Sequence, residues 1–209
     1  MQRVIPRRPV RACPCSSVPV QLFRVGSDMR RNIELKARCA NLADAEATCR
    51  RLGARFRWTR RQTDTYFAAP TGRLKLRVEE PGGAVLVEYH RPDDPEASES
   101  RYRLTPVENP GEALAALSRR HGVVARVVKR RTLYVLGNVR IHLDRVEGLG
   151  DFIEFEAVLP DEKADEAASR AAIARLVGEF AISREDLCPT SYCDMRGPPP
   201  RPPRPREAT

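Results

Sequence analysis

Four strand-length segments, residues 33–38, 74–78, 140–144 and 152–156, mix apolar with ionisable residues, and in each the charges share one face. Glu34, Lys36 and Arg38 alternate with Ile33, Leu35 and Ala37. Lys75 and Arg77 alternate with Leu74, Leu76 and Val78, and Arg140, His142 and Asp144 with Ile141 and Leu143. Glu154 and Glu156 stand among Phe152, Ile153 and Phe155. A strand sends successive side chains to opposite faces, so each segment carries a charged row and an apolar row. For one strand, a solvated face with cross-strand ion pairs is the simpler reading. Four rows of both signs favour a sheet curled around a highly charged ligand and its metal, with the apolar rows outside under helices.

Lys36, Arg38, Lys75, Arg77, Lys129 and Arg131 would repel one another around an empty space, because buried like charges without partners are costly. Glu34, Asp144, Glu154 and Glu156 neutralise part of that charge or hold a hard divalent cation, since Mg²⁺ and Mn²⁺ favour carboxylate and phosphate oxygens. A polyphosphate with its metal satisfies both sets at once. His142 alone reads as a structural histidine; its place between Arg140 and Asp144 makes it a candidate. Tyr66, Tyr89 and Tyr102 read as wall or core and Trp58 as packing, while the inward member of Glu88, His90 and Arg91 stays unassigned.

The net charge of +9 raises the question of nucleic acid. Residues 1–28 hold five arginines and one aspartate, and residues 196–209 hold four arginines and one glutamate, which leaves +2 for everything between. The excess belongs to the ends, which argues against a duplex-binding surface on the folded part. No run approaches the roughly 18 apolar residues of a membrane span. The six cysteines lack a CxxC pair and zinc-ligand spacing, and read as reduced thiols in a cytoplasmic protein.

Residues 1–28 are expected to be a disordered leader, or a stretch ahead of a start at Met29. Their arginine content without acids before Asp28 also fits an organelle transit peptide. Residues 196–209 read as a polyproline-type tail. Between them, strands are predicted at 32–39, 63–68, 73–79, 84–91, 100–105, 124–135, 139–146 and 151–158. Helices are predicted at 42–52 (Asn41 as cap), 110–120 (Asn109 as cap) and 162–179 (after Asp161), with a helical turn at 183–187. A faint internal repeat pairs Lys75 with His142 and Arg77 with Asp144.

The ordered set of Ile33-Glu34-Leu35-Lys36, Arg73-Leu74-Lys75-Leu76-Arg77, Lys129-Arg130-Arg131, His142-Leu143-Asp144 and Gly148-Leu149-Gly150-Asp151-Phe152-Ile153-Glu154 resembles the CYTH family. That family includes class IV adenylate cyclases and thiamine triphosphatases, and belongs to the triphosphate tunnel metalloenzymes. The resemblance covers residues 29–195. It implies an α+β fold: an eight-stranded antiparallel β-barrel, open at both ends, with helices packed outside. It implies Mg²⁺ or Mn²⁺ on Glu34, Glu154 and Glu156 with Asp144 near, and triphosphate contacts from Lys36, Lys75, Arg77, Lys129 and Arg131. Arg38, Arg140 and His142 complete the candidate substrate set, and Glu34, Asp144 and Glu156 are the candidate catalytic acids. One position departs from the family's Glu-x-Glu-x-Lys opening, where Asn32 stands for the first acid.

The expected activity is hydrolysis of a triphosphate such as tripolyphosphate, ATP or thiamine triphosphate. The alternatives are a class IV adenylate cyclase, a polyphosphate or nucleotide binder without turnover, and an RNA-binding module working through the arginine-rich ends.

Overall fold

The computed structural model describes residues 29–92, 94, 96–161 and 164–196; the expected leader and nearly all of the expected tail lie outside them. Eight antiparallel strands close into a barrel. They are β1 (Arg30–Arg38), β2 (Arg55–Phe67), β3 (Arg73–Glu80), β4 (Ala84–His90), β5 (Ser98–Val107), β6 (Val123–Leu136), β7 (Val139–Val146) and β8 (Gly150–Leu159). Their order around the barrel is β1-β5-β4-β3-β2-β6-β7-β8, with β8 returning to β1.

The alternating rows turn as the sequence predicts. Ile33, Leu35 and Ala37 of β1, Ile141 and Leu143 of β7, and Ile153 and Phe155 of β8 face outward into one apolar cluster. Two helices cover it: α1 (Leu42–Arg51) through Ala45 and Cys49, and α3 (Glu166–Glu179) through Ile173 and Leu176. Ile33, Ile141 and Phe155 are fully buried, each stabilising the fold by about 1.5–3 kcal/mol. Helix α2 (Pro110–His121) packs Ala113 and Leu117 against Leu76 and Phe67 on the other side. Each helix opens on a side-chain cap that satisfies a free backbone N–H: Asn41 accepts from Ala43, Asn109 from Glu112 and Asp165 from Ala168.

Two predicted boundaries move. Strand β2 starts at Arg55, not at residue 63, and pairs with β6 along its length through a register shift between Phe56 and Trp58. The arginine-rich stretch before Thr63 alternates for only four residues, Arg55 to Trp58, and its pairing with the long partner strand reveals the whole as sheet. Helix α3 starts after Asp165, whose carboxylate caps it, while Asp161 closes only a turn to Ala164.

The internal repeat is a property of the barrel. The halves β1-α1-β2-β3-β4 and β5-α2-β6-β7-β8 exchange places in the strand order, with β1 beside β5 and β2 beside β6. The sequence offset that relates Arg77 to Asp144 also relates Asp64 to Arg131. In both halves these positions are register partners, Asp64 with Arg77 and Arg131 with Asp144. The halves thus carry the same arginine–aspartate pair with the charges exchanged between strands.

One end of the barrel is filled, which corrects the expectation of a tube open at both ends. A 3-10 turn (Arg184–Asp186) and a short helix α4 (Tyr192–Met195) follow α3. Cys188 and Tyr192 from this segment pack with Tyr66, Ala125, Val127, Val146 and Phe152 into a second apolar cluster. These strand residues share the inward face, so the cluster corks the lumen.

Candidate active site

Inside the barrel above this cork lies a cavity of about 380 Å³, within the usual range of small-molecule sites. Seven cationic side chains line it (Lys36, Lys75, Arg77, Arg91, Lys129, Arg131 and Arg140) against four acids (Glu34, Glu79, Glu154 and Glu156). The remaining acids sit beneath the cations. Asp64 and Asp144 are fully buried and outside the lining, so the surface offered to a ligand is more positive than the site as a whole.

Asp64 gathers one group of cations. It accepts from Arg77 Nε and Nη2 at 2.7 and 2.9 Å and from Lys75 Nζ at 3.0 Å, with Lys129 Nζ 3.6 Å away. Burial alone would raise its carboxyl, but Arg77, Lys75 and Lys129 together hold it well below the ordinary range. Asp144 is the mirror arrangement, taking Arg131 Nε and Nη2 at 2.7 and 2.6 Å and the Tyr192 hydroxyl at 2.9 Å. Its carboxyl is also lowered, against burial, by Arg131 and Lys129. On the lysines, burial and the neighbouring arginines act together: Lys75 is pushed down to about 8 and Lys129 to about 7. Lys36 and Lys129 also lie over the Tyr192 ring, at 4.3 and 5.0 Å.

The acids gather on β8 and β1. Glu154 accepts from Arg131 at 2.6 Å and lies 3.4 Å from His142 Nδ1 and 3.7 Å from Lys36 Nζ. Glu156 lies 3.6 Å from both His142 and Arg140. One ligand atom each from His142, Glu154 and Glu156 fall within 4.8 Å of one another, close enough to share a cation. The two carboxylates are hard oxygen donors of the kind that suit Mg²⁺ or Mn²⁺. Glu34 stands opposite Glu156 in register, but its Oε1 accepts from Arg91 Nη1 at 2.8 Å. Burial raises the Glu34 carboxyl to about 6, helped by Glu154 and Glu156 and opposed by Arg91 and Lys36.

Of the expected site residues, Glu34, Lys36, Lys75, Arg77, Lys129, Arg131, Arg140, His142, Glu154 and Glu156 line the cavity, and Asp144 lies directly behind it. Arg38 does not join them; it ends β1 in the exposed class, 5.4 Å from the Phe152 ring. Four contributors go beyond the expected set. Asp64 had a legible signal, since Gln62, Asp64 and Tyr66 share a face by period two. Arg91 and Tyr192 come from outside the strands. Trp58, expected to pack, lines the cavity together with the neutral Val87, Tyr102, Leu104 and Leu133, which come from β2, β4, β5 and β6. The acids stand on β8 and β1, and Val87, Tyr102 and Leu104 stand on the strands that the repeat relates to them, β4 and β5.

The CYTH domain profile matches residues 30–192. The chain belongs to the CYTH family. A Methanocaldococcus jannaschii protein named "Putative adenylate cyclase" is 23% identical over 172 residues, covering 79% of this chain and 98% of that one. The structure of the PH1012 protein from Pyrococcus horikoshii is 28% identical, covers 78% of this chain and 98% of its own, and superposes with a TM-score of 0.69. A Hippeastrum protein named "Putative adenylyl cyclase", with a dominant triphosphatase activity, has the same fold (15% identity, TM-score 0.54, 77% of this chain and 91% of its own). This chain therefore shares its barrel with proteins named for cyclase or triphosphatase activity. Among the described residues, no helix is long and apolar enough to cross a membrane.

Proposed function

We propose that this CYTH protein is a divalent-metal-dependent enzyme that binds a triphosphate inside the barrel and hydrolyses a phosphoanhydride bond. The observation that carries the reading is the meeting of both signs in one cavity wall, where Lys36, Lys75, Arg77, Lys129 and Arg131 surround the same space as the His142, Glu154 and Glu156 cluster. The cations take the non-bridging phosphate oxygens and remove the charge that repels an incoming nucleophile. Their aim is fixed beforehand: Asp64 orients Arg77 and Lys75, and Asp144, itself held by Tyr192, orients Arg131.

Glu154 and Glu156, with His142, would hold Mg²⁺ or Mn²⁺. When bound, the ion supplies Lewis-acid polarisation and charge neutralisation at the phosphoryl oxygens. Asp144 has both oxygens engaged by Arg131 and Tyr192, and so serves as a positioning residue. Glu34, with its carboxyl near 6, is ionised at neutral pH yet basic enough to take a proton from water. In the reaction, the water oxygen bonds to the terminal phosphorus while its bond to the bridging oxygen breaks. The leaving oxygen keeps that electron pair, Glu34 takes the water proton, and phosphate and the shortened chain result.

Cyclisation of ATP is the second reading. Trp58, Val87, Tyr102 and Leu104 give the cavity neutral lining against which a nucleobase can lie, and the M. jannaschii relative is named for that reaction. Incubation with tripolyphosphate, ATP and thiamine triphosphate, each with Mg²⁺ or Mn²⁺, separates the readings. Release of phosphate without cyclic AMP supports hydrolysis. Cyclic AMP with diphosphate supports cyclisation. Tight, salt-sensitive binding without turnover under either metal overturns both in favour of a binding protein.

A further inference from the structure

We propose that Arg91 is a built-in cation that occupies the Glu34 side of the site, so that the barrel holds one divalent ion, on the Glu154 and Glu156 side. The inference deepens the metal-dependent reading above and rests on it. Arg91 follows the last residue of β4 and reaches into the cavity. Its guanidinium is buried and fixed at both ends, by Glu34 Oε1 at 2.8 Å and by the backbone carbonyl of Pro189 at 2.6 Å. The loop after β4 and the segment that corks the barrel are thereby joined through one side chain.

The environment of Glu34 favours this cation over a metal. The preceding inward position on β1 is Asn32, whose buried Oδ1 has no hydrogen-bond partner among the described residues. A divalent ion here would find one carboxylate and one neutral carbonyl of β1, and would have to share Glu156, the register partner of Glu34, with the His142 and Glu154 group. It would also have to displace Arg91 and leave a buried guanidinium without its acid, a strongly unfavourable exchange. Beside it the balance is reversed: two carboxylates of β8 converge with the imidazole of β7, while the hydrogen bonds of Arg91 go to Glu34 and Pro189. The arginine thus contributes positive charge on the Glu34 side and keeps Glu34 a proton acceptor instead of a metal ligand.

Mn²⁺ binding, followed by the electron paramagnetic resonance signal of the free ion, tests this without reference to turnover. The expected result is one Mn²⁺ per wild-type chain, with affinity nearly unchanged in Glu34→Gln. Arg91→Gln should expose a second, weaker Mn²⁺ site, which the Arg91→Gln, Glu34→Gln double variant loses again; Arg91→Lys should keep a single ion. Two Mn²⁺ per wild-type chain, or a loss of about tenfold or more in the affinity of Glu34→Gln, the range expected when a metal's own support is removed, overturns the role of Arg91 while leaving the metal-dependent reading intact. Absence of any Mn²⁺ binding overturns both. Glu34→Gln decides the matter even if Arg91→Gln does not fold, because it disturbs no contact to Pro189.

Discussion

Replacing Asp64 by asparagine removes a negative charge beneath three cations, of which, among the described residues, Lys129 alone keeps a second acid, Asp144 at 3.7 Å. Arg77 makes two hydrogen bonds to it, Lys75 one, and Lys129 lies within ion-pair distance. Removing one member of a buried ion pair costs about 3–5 kcal/mol, a large share of the roughly 5–15 kcal/mol that stabilises a domain. The lysines limit the loss. Lys75 near 8 and Lys129 near 7 can each shed a proton once their acid is gone. Both are depressed below the unfolded value of about 10.4, so the unfolded chain binds more protons between about pH 7 and 10 and stability rises with pH across that window. In the variant both fall further, so the destabilisation should be larger at about pH 6 than at about pH 9. Urea denaturation at the two pH values measures this. Excess tripolyphosphate replaces the missing negative charge and should narrow the gap between variant and wild type. A loss below about 1 kcal/mol, or one indifferent to pH and to tripolyphosphate, would refute the view that Asp64 balances this cation group.

Glu154→Gln should abolish metal-dependent turnover and Mn²⁺ binding, measured by phosphate release and by the free-ion signal, while the circular dichroism stays that of the wild type. Lys36→Ala and Arg77→Ala should act mainly on substrate binding, raising KM for tripolyphosphate by about 10–100-fold each, the worth of a charge-assisted hydrogen bond; an unchanged KM removes that residue from the phosphate site. Turnover should follow a bell in pH. It falls below about 6 as Glu34 takes up a proton, and above about 7 to 8 as Lys129 and then Lys75 lose theirs, and a kcat/KM profile flat from pH 5 to 9 would contradict both assignments. Acid should also weaken the fold, because Asp64 is held ionised in the native state: its contribution is full above the unfolded value of about 3.9 and is lost as pH falls through the lower native one.

The inward charged rows were legible because alternation is a local property. Once Ile33, Leu35 and Ala37 need a covered face, Glu34 and Lys36 have only the other side to occupy. What escaped depends on closure. The first half of β2 alternates only over Arg55, Phe56, Arg57 and Trp58 and then runs through Thr59, Arg60, Arg61 and Gln62 with no apolar row, and its pairing to β6 makes it one strand. Asp64, a lone acid between two threonines, gains meaning when β3 brings Lys75 and Arg77 alongside. Arg91 sits beyond the end of a strand, where no periodicity points its side chain, and Tyr192 reaches Asp144 from a four-residue helix far along the chain. Contacts of that range follow from the folded topology and leave no trace in any short window of sequence.

A barrel stoppered by Tyr192 and its apolar neighbours is a well with a single mouth. Traffic through it is last in, first out: the part of the substrate that enters ahead must wait for the part behind to depart. If the terminal phosphate leads, the freed orthophosphate stays at the bottom until the shortened chain has left, and the diphosphate product becomes the natural competitor of the next substrate.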